Sequence, residues 1–266
     1  MHSHKQTANK GHNEEAVSPF LSIVIPAYNE QQRLPTTLQA ILAFVAKTPY
    51  DVEVVVVDDG STDATVTTIQ PLLATAPQIR LICNDHRGKG YAVRTGVLAA
   101  HGGYILLCDA DLAVPLEEWP KMQCQLNEGY DVVIGSREGV GARRIGEPWY
   151  RHAMGRIFNV IVRLVAVGGI QDTQCGFKAF ERSTAHDLFS RVQLYGEDAK
   201  PIRGAAVTAF DVEVLFLARK QGYRVKEVPV VWRYGTETKV DPVRDAYRNF
   251  LDVLRVRWHA LRGHYG

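Results

Sequence analysis

The sequence is poor in several features that would mark a function early. Four cysteines stand among 266 residues, at Cys83, Cys108, Cys124 and Cys175, and no two form a C-x-x-C pair. That spacing excludes a disulfide framework and a zinc ribbon. Cys83 and Cys108 fall in expected buried strands, and all four read as reduced structural thiols of a reducing compartment. No apolar run approaches the length of a membrane span; the stretch from Val160 to Ile170 is broken by Arg163. Neither a transmembrane helix nor a signal peptide is expected. Charge of one sign is also missing. With 31 basic and 29 acidic residues the formal charge is +2, so no nucleic-acid partner is expected. The P-loop pattern G-x-x-x-x-G-K-[ST] is absent. No G-x-G-x-x-G follows the first strand, which argues against a dinucleotide-dependent dehydrogenase.

What is present is an ordinary globular composition, 46% apolar and 23% charged. The length suits one large α/β domain or two small ones. Residues 1–19 are polar and aperiodic, and read as a flexible tail. A main domain is expected over 20–240, and a basic amphipathic helix over 241–266. From Leu21 short apolar runs alternate with helical patterns. Strands are expected at Leu21–Ile25, Val52–Val57, Ile79–Cys83, Tyr104–Cys108, Val132–Ile134 and Val225–Trp232. Helices are expected at Leu34–Val45, Asp63–Leu73, Tyr91–Ala100, Leu116–Leu126, Pro148–Val165, Ala205–Gln221 and Pro242–Leu261. Such alternation implies parallel βαβ units, and continuous apolar strands imply a sheet covered on both faces.

Ligands of open α/β sheets bind beyond the carboxyl ends of the strands. Polar clusters stand at those ends: Tyr28-Asn29-Glu30, Asp58-Asp59, Asp85 to Lys89, and Asp109-Ala110-Asp111. The last pair puts two carboxylates on one turn, the hard oxygen donors suited to Mg²⁺ or Mn²⁺. In Asp58-Asp59-Gly60-Ser61-Thr62-Asp63, Ser61 or Thr62 would cap the next helix and Asp58 or Asp59 would accept hydrogen bonds from a ribose or base. Arg87-Gly88-Lys89-Gly90 opens a helix, where an anion is favoured. Arg137 ends a further strand and Arg151 starts a helix; both side-chain types pair bidentately with phosphate. Asp172 to Lys178 is a polar string between apolar stretches. Asp211 and Glu213 open an apolar helix, where Asp211 reads as an N-cap; a role as catalytic base needs a further reason. The final helix sets Phe250, Leu254, Trp258 and Leu261 at helical spacing among five arginines and two aspartates. It would lie on a membrane surface, a partner or its own domain.

Together these strings resemble the family 2 glycosyltransferases of the GT-A fold, over about residues 20–260. The residues that carry the resemblance are Ile25 to Glu30, Val57 to Asp63, Gly88-Lys89-Gly90, Asp109-Ala110-Asp111, Gly135-Ser136-Arg137, Asp172 to Phe180, and Phe210 to Glu213. The Gly-Ser-Arg and Asp-Thr-Gln-Cys-Gly-Phe-Lys strings are similar to the branch that transfers sugars to polyprenyl and dolichyl phosphates, nearest its β-glucosyl members. The resemblance implies a mostly parallel sheet with helices on both faces. It implies that Pro26, Tyr28, Glu30, Asp58 and Asp59 contact the nucleotide, and that Lys89 and Asp109 lie by the donor. Asp109 and Asp111 would hold the metal, and Arg137 with Arg151 would clamp an acceptor phosphate. Asp172, Lys178, Asp211 and Glu213 would line the sugar and acceptor side, Asp172 and Asp211 among the catalytic groups. Ala113 stands where mannosyl-transferring relatives carry a metal-binding Gln. The expected reaction is an inverting transfer of a hexose, UDP-glucose being the favoured donor, to a polyprenyl or dolichyl phosphate. The rivals are a glycosyltransferase acting on a sugar hydroxyl or small soluble acceptor, and a non-catalytic scaffold. With no anchor read in the chain, a lipid acceptor would be met peripherally, on the cytoplasmic membrane face, or through a partner subunit.

Overall fold

The computed structural model describes residues 18–148, 167–202, 204, 209–235 and 242–265, with backbone alone for 242–247. The helix expected at 148–165, Arg151 and nearly all of the 1–19 tail lie outside these residues. Strands β1 (Leu21–Ala27), β2 (Val52–Asp58), β3 (Ile79–Cys83) and β4 (Tyr104–Leu107) alternate with helices α1 (Leu34–Val45), α2 (Thr65–Thr75) and α3 (Lys89–Ala99). A 3₁₀ turn at Leu116–Glu118 leads into α4 (Trp119–Asn127), then β5 (Val132–Ser136) and β6 (Arg143–Ile145). After 167 follow β7 (Lys178–Glu181), α5 (Arg182–Arg191), α6 (Phe210–Lys220), β8 (Val225–Pro229), β9 (Val231–Arg233) and α7 (Pro242–Leu261).

Seven strands form one sheet in the order β3-β2-β1-β4-β7-β5-β8, and β6 pairs with β9 in a small second sheet. The first four pair in parallel, so β1, β2, β3 and β4 all end on one edge. β7 runs antiparallel between β4 and β5. Side chains alternate across a strand, and the core divides accordingly. Ile23, Ile25, Val54 and Val56 pack with Leu38, Ile69 and Met122 on one face. Val24, Val55 and Val57 pack with Val93, Leu188 and Leu215 on the other.

The structure departs from the sequence reading in five places. The segment around Asp172–Phe180 ends in a true strand, β7, and α5 had no expected counterpart. Its sequence RSTAHDLFSR is polar, with Ala185, Leu188 and Phe189 its only buried apolar side chains beside a buried Thr184. The strand expected over Val225–Trp232 divides after Pro229: the Val230 N–H still donates to the Ser136 carbonyl at 3.0 Å, and from Val231 the chain pairs with β6 instead. The short strand β6, which pairs with β9, has no expected counterpart. Finally, Cys83 is exposed, because β3 is the edge strand; Cys108 and Cys175 are buried and Cys124 is exposed.

α3 lies close enough to the sheet that Gly96 has no room for a side chain. A Cβ there would stand 2.4 Å from Val24 Cγ1 and 2.9 Å from Val57 Cγ2. Gly96→Ala is therefore expected to cost about 1–3 kcal/mol by overpacking. Urea unfolding checks this: an unchanged midpoint would show that the helix can move away freely.

Candidate active site

The strand ends are bonded to one another before any ligand is considered. The Asp59 N–H donates to the Ala27 carbonyl at 2.8 Å and the Asn84 N–H to the Asp58 carbonyl at 2.8 Å. Asn29 sits in the left-handed region (φ 54°). There its side-chain oxygen accepts from the Thr62 N–H at 2.8 Å while its own N–H donates to Ser61 Oγ at 2.9 Å. Ser61 and Thr62 thus join two loops and cap no helix; the Asp63 carboxylate accepts from the Thr65 N–H at 2.9 Å instead. Glu30 donates its N–H to Thr65 Oγ1 at 2.7 Å and pairs with Arg33 at 3.3 Å. Pro26 lies near the end of β1, opposite Val57.

The two aspartates at the end of β2 separate in role. Asp58 is 4% exposed; its Oδ2 accepts from the Ser61 N–H, and its buried Oδ1 has no partner. A buried acceptor without a donor is costly, so this oxygen is suited to a donor group on a ligand. Asp59, expected to touch the donor, is bonded inward. Its oxygens accept from the N–H groups of Arg87 at 3.0 Å and Gly88 at 2.9 Å, and from His86 Nδ1 at 2.8 Å. It positions the loop that opens α3. His86 was not foreseen. Its ring stacks on Tyr28 with centroids 3.9 Å apart and planes 3° from parallel. Its Nε2 lies 3.0 Å from the Gly204 carbonyl, so both ring nitrogens face oxygen acceptors. It lies inside the Asp85 to Lys89 cluster at the end of the third strand, where nothing in the sequence sets it apart from its neighbours.

Gly88 adopts φ 97°, which a larger residue would resist, and releases the chain into α3 with Lys89 as its first residue. Lys89 Nζ reaches Asp109 Oδ1 at 2.6 Å. Burial works to discharge Lys89, but Asp109, Asp211 and Asp111 outweigh it and raise its pKa. Burial also pushes the Asp109 carboxyl up, and Lys89, Lys178 and Arg137 together bring it below the usual range. Asp111 goes the other way, raised by burial and by the charge of Asp109. Two crowded carboxylates two residues apart, one of them raised by the other, fit a hard divalent cation. Among the described residues no cluster of three or more His, Cys, Asp or Glu could hold an ion alone. Further ligands would come from diphosphate and water. Ala113 offers no side-chain ligand; its N–H donates to Asp111 Oδ1 at 3.0 Å. A second unforeseen residue is Gly176, where a Cβ would stand 2.2 Å from Asp109 Oδ2. Only glycine lets the Asp172–Lys178 string pass this close to the acid.

That string holds two buried ion pairs, which correct several expectations. Arg137 grips Asp172 through Nε at 2.7 Å and Nη2 at 2.8 Å, and through its N–H at 3.0 Å. The Asp172 carboxylate is wholly buried and, despite that burial, Arg137 draws its pKa down to about 2. Asp172 is thus unsuited to be a base and serves to hold Arg137, which also lies 5.3 Å over the Trp232 ring. Lys178, expected at the acceptor, is 1% exposed and pairs with Asp211 at 2.5 Å and with the Cys175 carbonyl. Asp211 stands in the first turn of α6 with no capping bond, and burial raises its pKa against the pull of Lys178. Glu213, also expected at the acceptor, is fully buried elsewhere. Its Oε1 accepts from the N–H groups of Gln193 and Leu194 and from the Tyr265 hydroxyl. It ties α6 to Tyr265, beyond α7.

Comparison with known proteins identifies the family and the fold. The family model described as Glycosyl transferase family 2 matches residues 22–189. The chain is 37% identical over 244 residues to a dolichyl-phosphate β-glucosyltransferase of Drosophila melanogaster, covering 86% of this chain and 72% of that protein. It is 32% identical to the protein of that name from Dictyostelium discoideum, covering 92% and 76%, and 31% identical to the one from Homo sapiens, covering 91% and 76%. Among solved structures it is similar to glucosyl-3-phosphoglycerate synthase of Mycobacterium tuberculosis in complex with UDP. The TM-score is 0.61 at 20% identity, covering 96% of this chain and 86% of that one. It is also similar to a mannosyltransferase of Pyrobaculum calidifontis in complex with GDP-Man and Mn²⁺. There the TM-score is 0.57 at 19% identity, covering 90% and 65%. These structures establish the GT-A fold.

The Arg137–Asp172 pair has a pH signature. Because the folded pKa of Asp172 is depressed from 3.8 to about 2, the unfolded chain binds the proton first. The stabilisation is therefore complete above pH 4 and is lost as pH falls toward 2. Its size is on the order of 2 kcal/mol. Asp172→Asn should flatten the urea-stability profile across that acid window; a variant whose profile keeps the wild-type slope there would refute the pairing.

Proposed function

The chain belongs to glycosyl transferase family 2, and from that premise we propose that it transfers glucose from UDP-glucose, with inversion, to the phosphate of a polyprenyl or dolichyl lipid. One observation carries the reading. Lys89 Nζ pairs with Asp109 of the Asp109/Asp111 pair, the buried Oδ1 of Asp58 has no partner, and Gly176 brings the string that begins at Asp172, the partner of Arg137, against Asp109. A donor-diphosphate site and a cationic acceptor site thus adjoin. The named activity of the relatives from fly, slime mould and human supports the same choice of sugar and acceptor.

In this reading Pro26, Tyr28, Glu30 and Asp58 receive the base and ribose, and Lys89 lies by the diphosphate. Asp109 and Asp111 would hold Mg²⁺ or Mn²⁺, which when bound offsets charge on the departing diphosphate. The acceptor is a phosphate monoester, already anionic near neutral pH. Its oxygen attacks the anomeric carbon on the face opposite the diphosphate. The new carbon–oxygen bond forms as the bond to the diphosphate oxygen breaks, and the electron pair leaves with the nucleoside diphosphate. No strong general base is then required. Arg137, held by Asp172, and Arg151 orient the incoming phosphate. Asp59 and Lys178 position the loops around them.

The acceptor is membrane-borne, so the domain works peripherally, on the cytoplasmic face or beside a membrane partner. No helix among the described residues is long and apolar enough to cross a bilayer. A second reading, transfer to a sugar hydroxyl, draws on one feature. Asp211 is a buried carboxylate whose pKa is raised by that burial, as a base for a hydroxyl would need.

Incubation with radiolabelled UDP- and GDP-sugars, a divalent ion and polyprenyl phosphate tests the proposal. Label is expected in the organic phase from UDP-glucose, and chelation should remove it. Label that appears only on soluble sugar acceptors would shift the assignment to the second reading. Asp111→Asn is expected to lower kcat by roughly 100-fold or more. Arg137→Lys keeps a charge at Asp172 but loses the guanidinium fork. It should raise KM for the lipid phosphate roughly tenfold and spare donor binding. An equal loss of donor binding would remove Arg137 from the acceptor side.

A further inference from the structure

Five large apolar side chains are exposed among the described residues: Val140, Ile145, Leu254, Trp258 and Leu261. The last three belong to α7 and follow one another at steps of four and three residues, which places them on one stripe of the helix. They are 43%, 54% and 83% exposed.

This stripe is fixed facing outward. The opposite side of α7 is docked through Asn249, Asp252, Val253 and Val256, all buried. Tyr195 donates its hydroxyl to Asp252 Oδ2 at 2.5 Å. Beyond the helix, Tyr265 donates its hydroxyl to Glu213 Oε1 at 2.7 Å, and Lys220 Nζ donates to the Tyr265 carbonyl at 2.8 Å. α7 cannot roll its apolar stripe inward without breaking these buried bonds.

The charge beside the stripe selects its occupant. From Val253 to Gly266 the chain has no Asp or Glu, and it carries Arg255, Arg257 and Arg262, all exposed. The Arg262 guanidinium lies 4.3 Å over the Trp258 ring. A second copy laid on this face would bring arginines against arginines. An anionic lipid surface complements both the apolar stripe and its cations, and Trp with Arg is the side-chain pair suited to the headgroup level. We propose that the outer face of α7 is the surface by which this protein docks on an anionic bilayer, with Leu254, Trp258 and Leu261 entering the headgroup boundary. This deepens the reading of a lipid acceptor given above, yet its test needs no acceptor and no transfer, so the two can fail separately.

The full chain is mixed with phosphatidylcholine vesicles, with and without roughly a third phosphatidylserine, and sedimented. Binding is expected to the anionic vesicles, to weaken with added salt, and to shift tryptophan emission to the blue; Trp258→Phe should remove most of that shift. The triple variant Leu254→Ser, Trp258→Ser, Leu261→Ser should lose sedimentation with its melting temperature unchanged, because these side chains support no core. Arg257→Gln and Arg262→Gln should each lower binding roughly fivefold. Equal binding of wild type and triple variant would overturn the proposal, as would equal binding to neutral vesicles. So would a self-association that the triple variant abolishes in the absence of any vesicle binding.

Discussion

The buried Asp172 carboxylate must have a cation, and Arg137 is that cation. A charge with no solvent access is tolerable only when paired and hydrogen-bonded, and removing one partner from such a pair costs about 3–5 kcal/mol. Much of the site follows from this constraint. The pair fixes the segment after Asp172 against the end of β5, and the Gly135 N–H donates to the Phe177 carbonyl at 2.8 Å. Gly176 is thereby laid against Asp109, and β7 enters the sheet between β4 and β5. Asp109 in turn holds Lys89 at the start of α3. A single ion pair thus sets the spacing between the acidic and the cationic halves of the cleft.

The N-terminal half was legible because local and global signals agree there. β-branched runs such as Val54–Val57 can be little else than covered parallel strands, and α1 matches the expected Leu34–Val45 to the residue. Convergence of the strand ends followed from topology alone. The remainder was hidden for specific reasons. β7 is four residues long and antiparallel, so neither length nor a βαβ pattern announced it. α5 is mostly polar. The site residues were found as types but not as partners: sequence spacing could place Arg137 at a strand end and Asp172 in a polar string, and could not show that each neutralises the other. Lys178 and Glu213 are expected on the acceptor side by resemblance, yet both are buried, because burial of a charge is decided by distant residues, here Asp211 and Tyr265.

The second layer of the site reaches the C-terminus. Tyr195 and Phe210 occupy the space that a side chain on Gly90 would need, at 2.6 Å and 2.9 Å. Tyr195 is bonded to Asp252 of α7, and Glu213 joins the neighbouring backbone to Tyr265. The start of α3, which carries Lys89, therefore rests on elements that the last helix holds in place. With the outer stripe proposed to meet lipid and the inner side bracing the turn that opens α3, the helix would link the two mechanically.

The stack of Tyr28 on His86 has a consequence for observing the molecule. It bridges the turns after β1 and β3 across β2, so neither turn can open without parting the rings. A histidine ring face to face with a phenol experiences a strong ring current, and its carbon-bound protons resonate upfield of those of a solvated imidazole. His86 is thus a native magnetic reporter of the cleft floor, readable in solution without any label attached to the protein.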